Sequence, residues 1–239
     1  MIIEGRFEYA SICYVIADCI PEHRMKNRYS TKGQLGTEFE PGSRGRVLRN
    51  LPGIRSIREM QRAESDALLS ATNQLIDETT ETQRFTAADV CKMHRLWLAG
   101  IYAWAGTYRT VNMVKDGFPF APAMEIPRLM TAFERDILRQ YTPCRSNAIE
   151  EQIEALAVVH AELVLIHPYR EGNGRCARML ATLMALQTDL PPLDFSNIQR
   201  REKRRYISAI HRAMDRNYEP MKEVFRRVIA RSLRASRSK

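Results

Sequence analysis

His167-Pro168-Tyr169-Arg170-Glu171-Gly172-Asn173-Gly174-Arg175-Cys176-Ala177-Arg178 is a polar stretch set between two apolar runs. Upstream, Ile153, Leu156, Ala157, Val159, His160, Leu163 and Val164 recur at helical spacing; downstream, Met179, Leu180, Leu183, Met184 and Leu186 do the same. The stretch therefore reads as a short loop joining two core helices, with the second helix starting inside it. A helix start presents unbonded N–H groups and the positive end of the macrodipole, which favours a phosphate. Gly172 and Gly174 let backbone amides approach an anion with no Cβ in the way.

Outward from this loop, helices dominate. From Ser56 onward Ile57, Met60, Ala63, Ala67, Leu68, Ala71 and Leu75 share one side. Thr86 with Asp89 three residues on has the pattern of a helix start, and the helix would run through Val90, Met93, Leu96 and Trp97. Ile126 to Tyr141 is amphipathic through Leu129, Met130, Phe133, Ile137 and Leu138, and the last helices begin near Asn197 and near Glu219. One hairpin is expected: Tyr108 to Val114, the turn Lys115-Asp116-Gly117, then Phe118-Pro119-Phe120. Pro119 and Pro122 keep its second arm out of a central strand position, and so small a hairpin must lie against helices. Tyr29 to Arg46, with Gly33, Gly36, Pro41, Gly42 and Gly45, is turn chemistry with room for a short strand. The fold class is all-α with a small β-hairpin.

The chain has 239 residues, enough for one full core, with 44% hydrophobic and 27% charged residues. Lys plus Arg is 37 against 28 Asp plus Glu, a net charge of +9. That sign suits anionic partners, and equally suits plain solubility. Cys13, Cys19, Cys91, Cys144 and Cys176 make an odd count without zinc-ligand spacing. Ile12 to Ile20 is too short to span a bilayer and contains Asp18, so a reduced, cytoplasmic protein without a membrane segment is expected. Cys176, beside Arg175 at a helix start, is either a thiol of lowered pKa or a small packing residue.

If a nucleoside triphosphate sat at the central loop, each polar group would have a task. His167 can take a proton near neutral pH. Glu171 offers hard oxygens to Mg²⁺, and Asn173 can orient a phosphate oxygen through its amide. Arg175 and Arg178, three apart, share a helix face that suits a polyphosphate. Singly these signals are usually structural: His-Pro stops helices, Gly-x-Gly turns chains, and paired arginines are solvated. Together, six specified positions at fixed spacing arise by chance in such a chain on the order of a few times in a million.

The run resembles the Fic family motif His-Pro-Phe-x-Asp/Glu-Gly-Asn-Gly-Arg-x-x-Arg, with Tyr169 for Phe. That ring is expected to pack into the core and find a hydrogen-bond partner there. Trp104-Ala105-Gly106-Thr107-Tyr108-Arg109 and the following hairpin resemble the family's flap region. The resemblance divides the chain into an irregular extension (1–46), a Fic domain (47–215) and a C-terminal helix with a basic tail (216–239). It implies an all-α Fic core and transfer of AMP from ATP, with Mg²⁺, to a Ser, Thr or Tyr hydroxyl of a target protein. By position, His167 would be the general base and Glu171 the Mg²⁺ ligand. Gly172, Asn173, Gly174, Arg175 and Arg178 would bind the phosphates. The flap residues Val111, Asn112, Met113, Val114, Lys115, Gly117 and Phe118 would pair with an extended target segment. The related Doc toxins carry Lys at the position of Gly174 and phosphorylate instead, so Gly174 favours AMP transfer.

Many members of the family carry an inhibitory Ser/Thr-x-x-x-Glu-Gly/Asn motif whose Glu meets the second motif arginine. Here only Ser146 with Glu150 has the spacing, and residue 151 is Glu; the place of Ser146 also reads as an N-cap. The expectation is a chain without its own inhibitory motif, restrained by a small antitoxin-like partner that supplies a Glu to Arg178. Two other readings stand beside AMP transfer. The same loop could remove AMP, or transfer another nucleotide or phosphoryl group. Alternatively Arg200-Arg201-Glu202-Lys203-Arg204-Arg205 and the tail Arg227 to Lys239 make a basic nucleic-acid-binding module, against which stands the lack of any groove-reading motif.

Overall fold

In a computed structural model of the chain, residues 38–198 and 202–237 are described. Seven α-helices and one two-stranded sheet appear among them: α1 (Ile57–Glu78), α2 (Ala87–Leu98), β1 (Val114–Lys115), β2 (Phe118–Pro119), α3 (Ile126–Ala132), α4 (Ile149–Ile166), α5 (Asn173–Leu186), α6 (Lys203–Ala213) and α7 (Glu219–Arg237). The segment expected as one helix over Ile126 to Tyr141 keeps its helical course. Its middle, Phe133–Leu138, is a π-helical stretch, and it ends on the helical Arg139–Tyr141.

The centre of the molecule is the pair α4 and α5. Helix α4 is apolar nearly all round and is buried on almost every side, as expected of a helix with neighbours on each face. Against it pack α5, α7, α6 and the π-helical stretch, while α1, α2 and α5 pack together on the other side. Helix α7 is amphipathic and buries Met221, Val224, Phe225, Val228 and Ile229 at spacings of three and four. Its arginines are largely engaged: Arg226 pairs with Glu150 and Glu219, Arg227 with Glu223 and Glu202, and Arg231 with Asp194. The segment expected as a basic tail is thus helical through Arg237, and much of its charge is matched within the fold.

Local signals hold at several ends. Thr86 and Asp89 form a capping box at the start of α2: the Asp89 amide donates to Thr86 Oγ1 at 3.1 Å and the Thr86 amide to Asp89 Oδ2 at 2.9 Å. Ser146 is not the cap of α4; Ala148 occupies that place, while Ser146 accepts from the Ala148 amide and donates to Glu151. The helix expected near Asn197 starts at Lys203, because Asp194 ties the Ser196 amide into a turn at 2.9 Å. An antiparallel bridge joins Phe39 to Leu48, closing the turn through Pro41 to Gly45. Cys13, Cys19, Arg200, Arg201 and nearly all of the proposed extension lie outside the described residues. No described helix is long and apolar enough to cross a membrane.

Candidate active site

The loop between α4 and α5 begins at His167, which caps α4 in the left-handed conformation at φ 54°. Its ring Nδ1 lies 3.0 Å from the Val164 carbonyl oxygen. A carbonyl only accepts, so Nδ1 carries the proton and Nε2 is the basic nitrogen. The imidazole is buried and stacks on Phe120 of the hairpin at 3.7 Å between centroids. Burial holds its pKa down to about 3, helped by the positive charge of Arg109 and Lys115. It is therefore neutral at neutral pH, the form a base needs.

Three side chains brace the loop. The Asn173 carboxamide accepts from the Tyr169 amide at 2.8 Å and donates to the Tyr169 carbonyl at 2.7 Å. Sequence reasoning gave this amide to a phosphate oxygen; the structure gives it to the loop's own backbone, whose buried polar groups require partners. His94 of α2 takes the Gly106 amide on Nδ1 at 2.8 Å and holds the Glu171 carbonyl from Nε2 at 3.1 Å. Its ring stacks on Tyr169 at 3.8 Å, and burial lowers its pKa to about 4. Tyr169 is fully buried and its hydroxyl meets Cys91 Sγ at 3.5 Å, the partner expected of it. Arg109, also buried, donates to the His167 carbonyl at 2.7 Å and to Val111 and Ala121 at 2.8 and 2.6 Å, while its amide donates to Pro168 at 2.8 Å. One guanidinium thus staples both feet of the hairpin to the α4–α5 loop.

Helix α5 starts at Asn173 behind Gly172, whose φ is 86°. A Cβ on Gly172 would meet the Trp97 ring at 2.6 Å, so glycine is required for both backbone and space. Arg175 and Arg178 leave the first turn together but differ in setting. Arg175 lies over the Trp97 ring at 4.4 Å, reaches Glu64 of α1 at 2.7 Å and Glu171 at 3.4 Å. Its charge is matched inside the protein, in contrast to the expected polyphosphate contact. Arg178 is buried to 9% exposure, and among the described residues it has no hydrogen-bond or ion-pair partner. Its Nη1 lies beside Gly174, 3.5 Å from where a Cβ would sit. Glu150, the one carboxylate with inhibitory spacing, is bonded to Arg226 at the surface. Cys176 is buried against the Val90 carbonyl and its thiol pKa is raised by burial, so it is a packing residue.

The hairpin turns on Asp116 and Gly117, both at positive φ, with Val114 opposite Pro119 and Lys115 opposite Phe118. Its first arm is shorter than expected, since Arg109 turns the chain onto Pro168 and leaves only the Met113 carbonyl bonded to Phe120 beyond the two pairs. Val111 and Met113 point inward as a small cluster with Phe120, whereas Asn112 and Gly117 are exposed and Val114 and Lys115 half-buried. Phe118 stacks on His211 of α6 at 4.5 Å. Arg109, His94 and Glu64 escaped the sequence reading. A lone polar residue carries no mark of the loop that it meets 58, 77 or 111 residues later in the chain.

Residues 84–185 match the family model described as Fic/DOC. Protein adenylyltransferase VbhT of Bartonella schoenbuchensis is 28% identical over 178 residues, 74% of this chain and 36% of that protein. Protein adenylyltransferase fic-1 of Caenorhabditis elegans is 30% identical over 190 residues, 77% of this chain and 35% of that one. The chain thus spans about a third of the length of these curated relatives. Among solved structures, BepC of Bartonella tribocorum, determined with bound AMPPNP, superposes with a TM-score of 0.62 at 24% identity, covering 86% of this chain and 98% of that one. The matched span runs from the capping box of α2 to the end of α5 and so contains the hairpin, both core helices and the loop between them: residues 84–185 form a domain of the Fic/DOC family.

Proposed function

We propose that this chain transfers AMP from ATP to a Ser, Thr or Tyr hydroxyl of a target protein. The observation that carries this reading is Arg178, a buried cation with no partner among the described residues, set beside Gly174 at the start of α5. No Arg178 nitrogen is both buried and unpartnered, so the guanidinium reaches solvent and can meet an anion without first breaking an internal ion pair. The first turn of α5 adds N–H groups and the positive end of the helix dipole to the same place. The β- and γ-phosphates of ATP supply the missing charge. The names of the relatives and the AMPPNP bound to BepC point to the same donor.

In the transfer, the target hydroxyl attacks the α-phosphorus, the bond from that phosphorus to the bridging oxygen of the β-phosphate breaks, and pyrophosphate leaves. His167 Nε2 takes the hydroxyl proton while Nδ1 stays bonded to Val164 and holds the ring in place. The α5 N-terminus and Arg178 keep the leaving pyrophosphate in line. Hard carboxylate oxygens on Glu171, without a cluster of three ligating side chains among the described residues, suit a Mg²⁺ that arrives with the triphosphate. Bound there, the ion would neutralise phosphate charge. The rim of the hairpin, with Asn112 and Gly117 exposed and Val114 and Lys115 half-buried, is the surface offered to an extended target segment. A separate partner that places a Glu on Arg178 would block the γ-phosphate site and restrain the activity.

Incubation of the full chain with α-labelled ATP and Mg²⁺ in a lysate tests this reading. Label is expected on protein and its mass to equal AMP, with loss of label for His167→Ala. Transfer that survives in the alanine variant, or an added mass that is not AMP, rejects the assignment.

A further inference from the structure

We infer that the exposed face of α6 beside the hairpin, built around Arg204, His211 and Arg212, selects target segments that carry Asp or Glu near the modified hydroxyl. The inference rests on the reading of the hairpin as the target-docking element given above, and it names the class of segment taken there. Phe118 stacks on the His211 ring at 4.5 Å between centroids and 14° between planes, which fixes α6 against the hairpin. Arg204 precedes His211 by two turns on the same helix face, and Arg212 follows it on the exposed side. All three residues are exposed, and neither arginine has a hydrogen-bond or ion-pair partner among the described residues.

The charge of this face is one-sided. Helix α6 holds Lys203, Arg204, Arg205 and Arg212 and no carboxylate. Its first three residues are cations at the positive end of the helix dipole, so the two fields add. Lys115, paired with Phe118 across the hairpin, adds a charge on the side of His167, whose pKa it helps to lower. Three carboxylates stand nearby. Glu202 is shared between Arg205 at 3.7 Å and Arg227 at 3.3 Å, and Asp116 and Asp215 are exposed at the hairpin turn and just beyond α6. The sum stays positive. Arg204 lies about 10 Å from His211 along the helix axis, and an extended chain advances about 3.3 Å per residue. A segment added to the hairpin and continuing past His211 therefore meets the arginines within three or four residues, where carboxylates are attracted and lysines repelled. The rings of this face are taken up by each other, Phe118 by His211 and by Phe120 at 5.4 Å. That leaves charge and hairpin backbone, which suit an acidic polypeptide better than the stacked bases of a nucleic acid.

Labelling of a lysate by the full chain with α-labelled ATP and Mg²⁺, with the labelled peptides identified by mass spectrometry, tests the inference. Wild-type sites are expected to carry Asp or Glu within about four residues of the labelled hydroxyl more often than unlabelled hydroxyls of the same proteins, the reach set by an extended chain. The double variant Arg204→Glu with Arg212→Glu should label those sites about tenfold less, since attraction becomes repulsion at two rim positions. Its KM for ATP should not change, which a disturbed fold or nucleotide site would not allow. Should that variant fail to fold in a thermal melt, Arg204→Gln with Arg212→Gln removes the charge alone, and a fall of about threefold is expected. Sites without acidic neighbours, or a folded variant that labels them as well as wild type does, overturn the inference and leave AMP transfer standing. Labelling that is lost when the lysate is treated with nuclease assigns the arginines to nucleic acid and also overturns it. No labelling by the wild-type protein overturns both readings.

Discussion

Arg175 and Arg178 stand one turn apart on α5, yet their surroundings assign them different work. Arg175 is matched by Glu64 and stacked on Trp97; Arg178 is buried with no partner among the described residues. Truncation should separate them. Arg178→Ala removes a cation that holds no ion pair among the described residues, so the melting temperature is expected to stay level while KM for ATP increases roughly ten- to hundredfold, the worth of charge-assisted contacts to phosphate. Calorimetric melting and ATP-dependent kinetics check both halves; a drop in melting temperature would show that the guanidinium has a structural partner. His167 yields a second expectation. Its pKa of about 3 comes first from burial, and Phe120 covers its ring. On the proposal that His167 is the base, the neutral form is the active one, so activity should hold down to acid pH and be lost below the folded pKa. Phe120→Ala admits water and should move the acid limb of kcat/KM up toward 6.5, the ordinary histidine value.

Among the elements, the connection from α4 to α5 is the most tightly determined. His167 and Gly172 both lie at positive φ, Asn173 bonds both polar atoms of Tyr169, and His94 holds the Glu171 carbonyl. Gly172→Ala puts a methyl at 2.6 Å from the Trp97 ring on a backbone that disfavours any Cβ. It is expected to destabilise the fold by about 2–5 kcal/mol, combining left-handed strain with overpacking; denaturant unfolding measures it, and a loss under 1 kcal/mol would mean the loop relaxes freely. Much of this element was legible from residues 153–186, because helical periodicity on either side of a Gly-rich polar stretch leaves few alternatives. The box at Thr86 and the Asp116-Gly117 turn were equally plain, since each depends on near neighbours. What escaped depends on distant ones. The Arg109 staple shortens the hairpin arm that propensity extends back to Tyr108, and Glu64 meets Arg175 only once α1 and α5 have packed. Periodicity places a residue on a face but does not name the side chain opposite.

Among the described residues three histidines are stored as buried neutral groups, His94, His160 and His167, and they shape how stability responds to acid. Burial lowers their pKa values to about 4, 3 and 3. In the unfolded chain each returns to about 6.5. Below that pH the unfolded chain takes up protons that the folded one refuses, so stability is full above about 6.5 and drains away as pH falls toward 4 and 3. At pH 5 each histidine costs up to about 2 kcal/mol, the pKa gap there converted at 1.36 kcal/mol per unit. The surface carboxylates paired with arginine, such as Glu150 and Glu219 on Arg226, have lowered pKa values and contribute their loss only below about 4.5, the unfolded carboxylate value. The two windows are therefore separable. Thermal melts between pH 7 and pH 5 should show a steep fall, and His160→Leu should flatten it by about a third. His160 suits the test because it lies in the core away from the α4–α5 loop, with its Nε2 2.9 Å from the Tyr206 hydroxyl. An unchanged slope in that variant would show that its imidazole already titrates near its ordinary value, and that the core around α4 admits water.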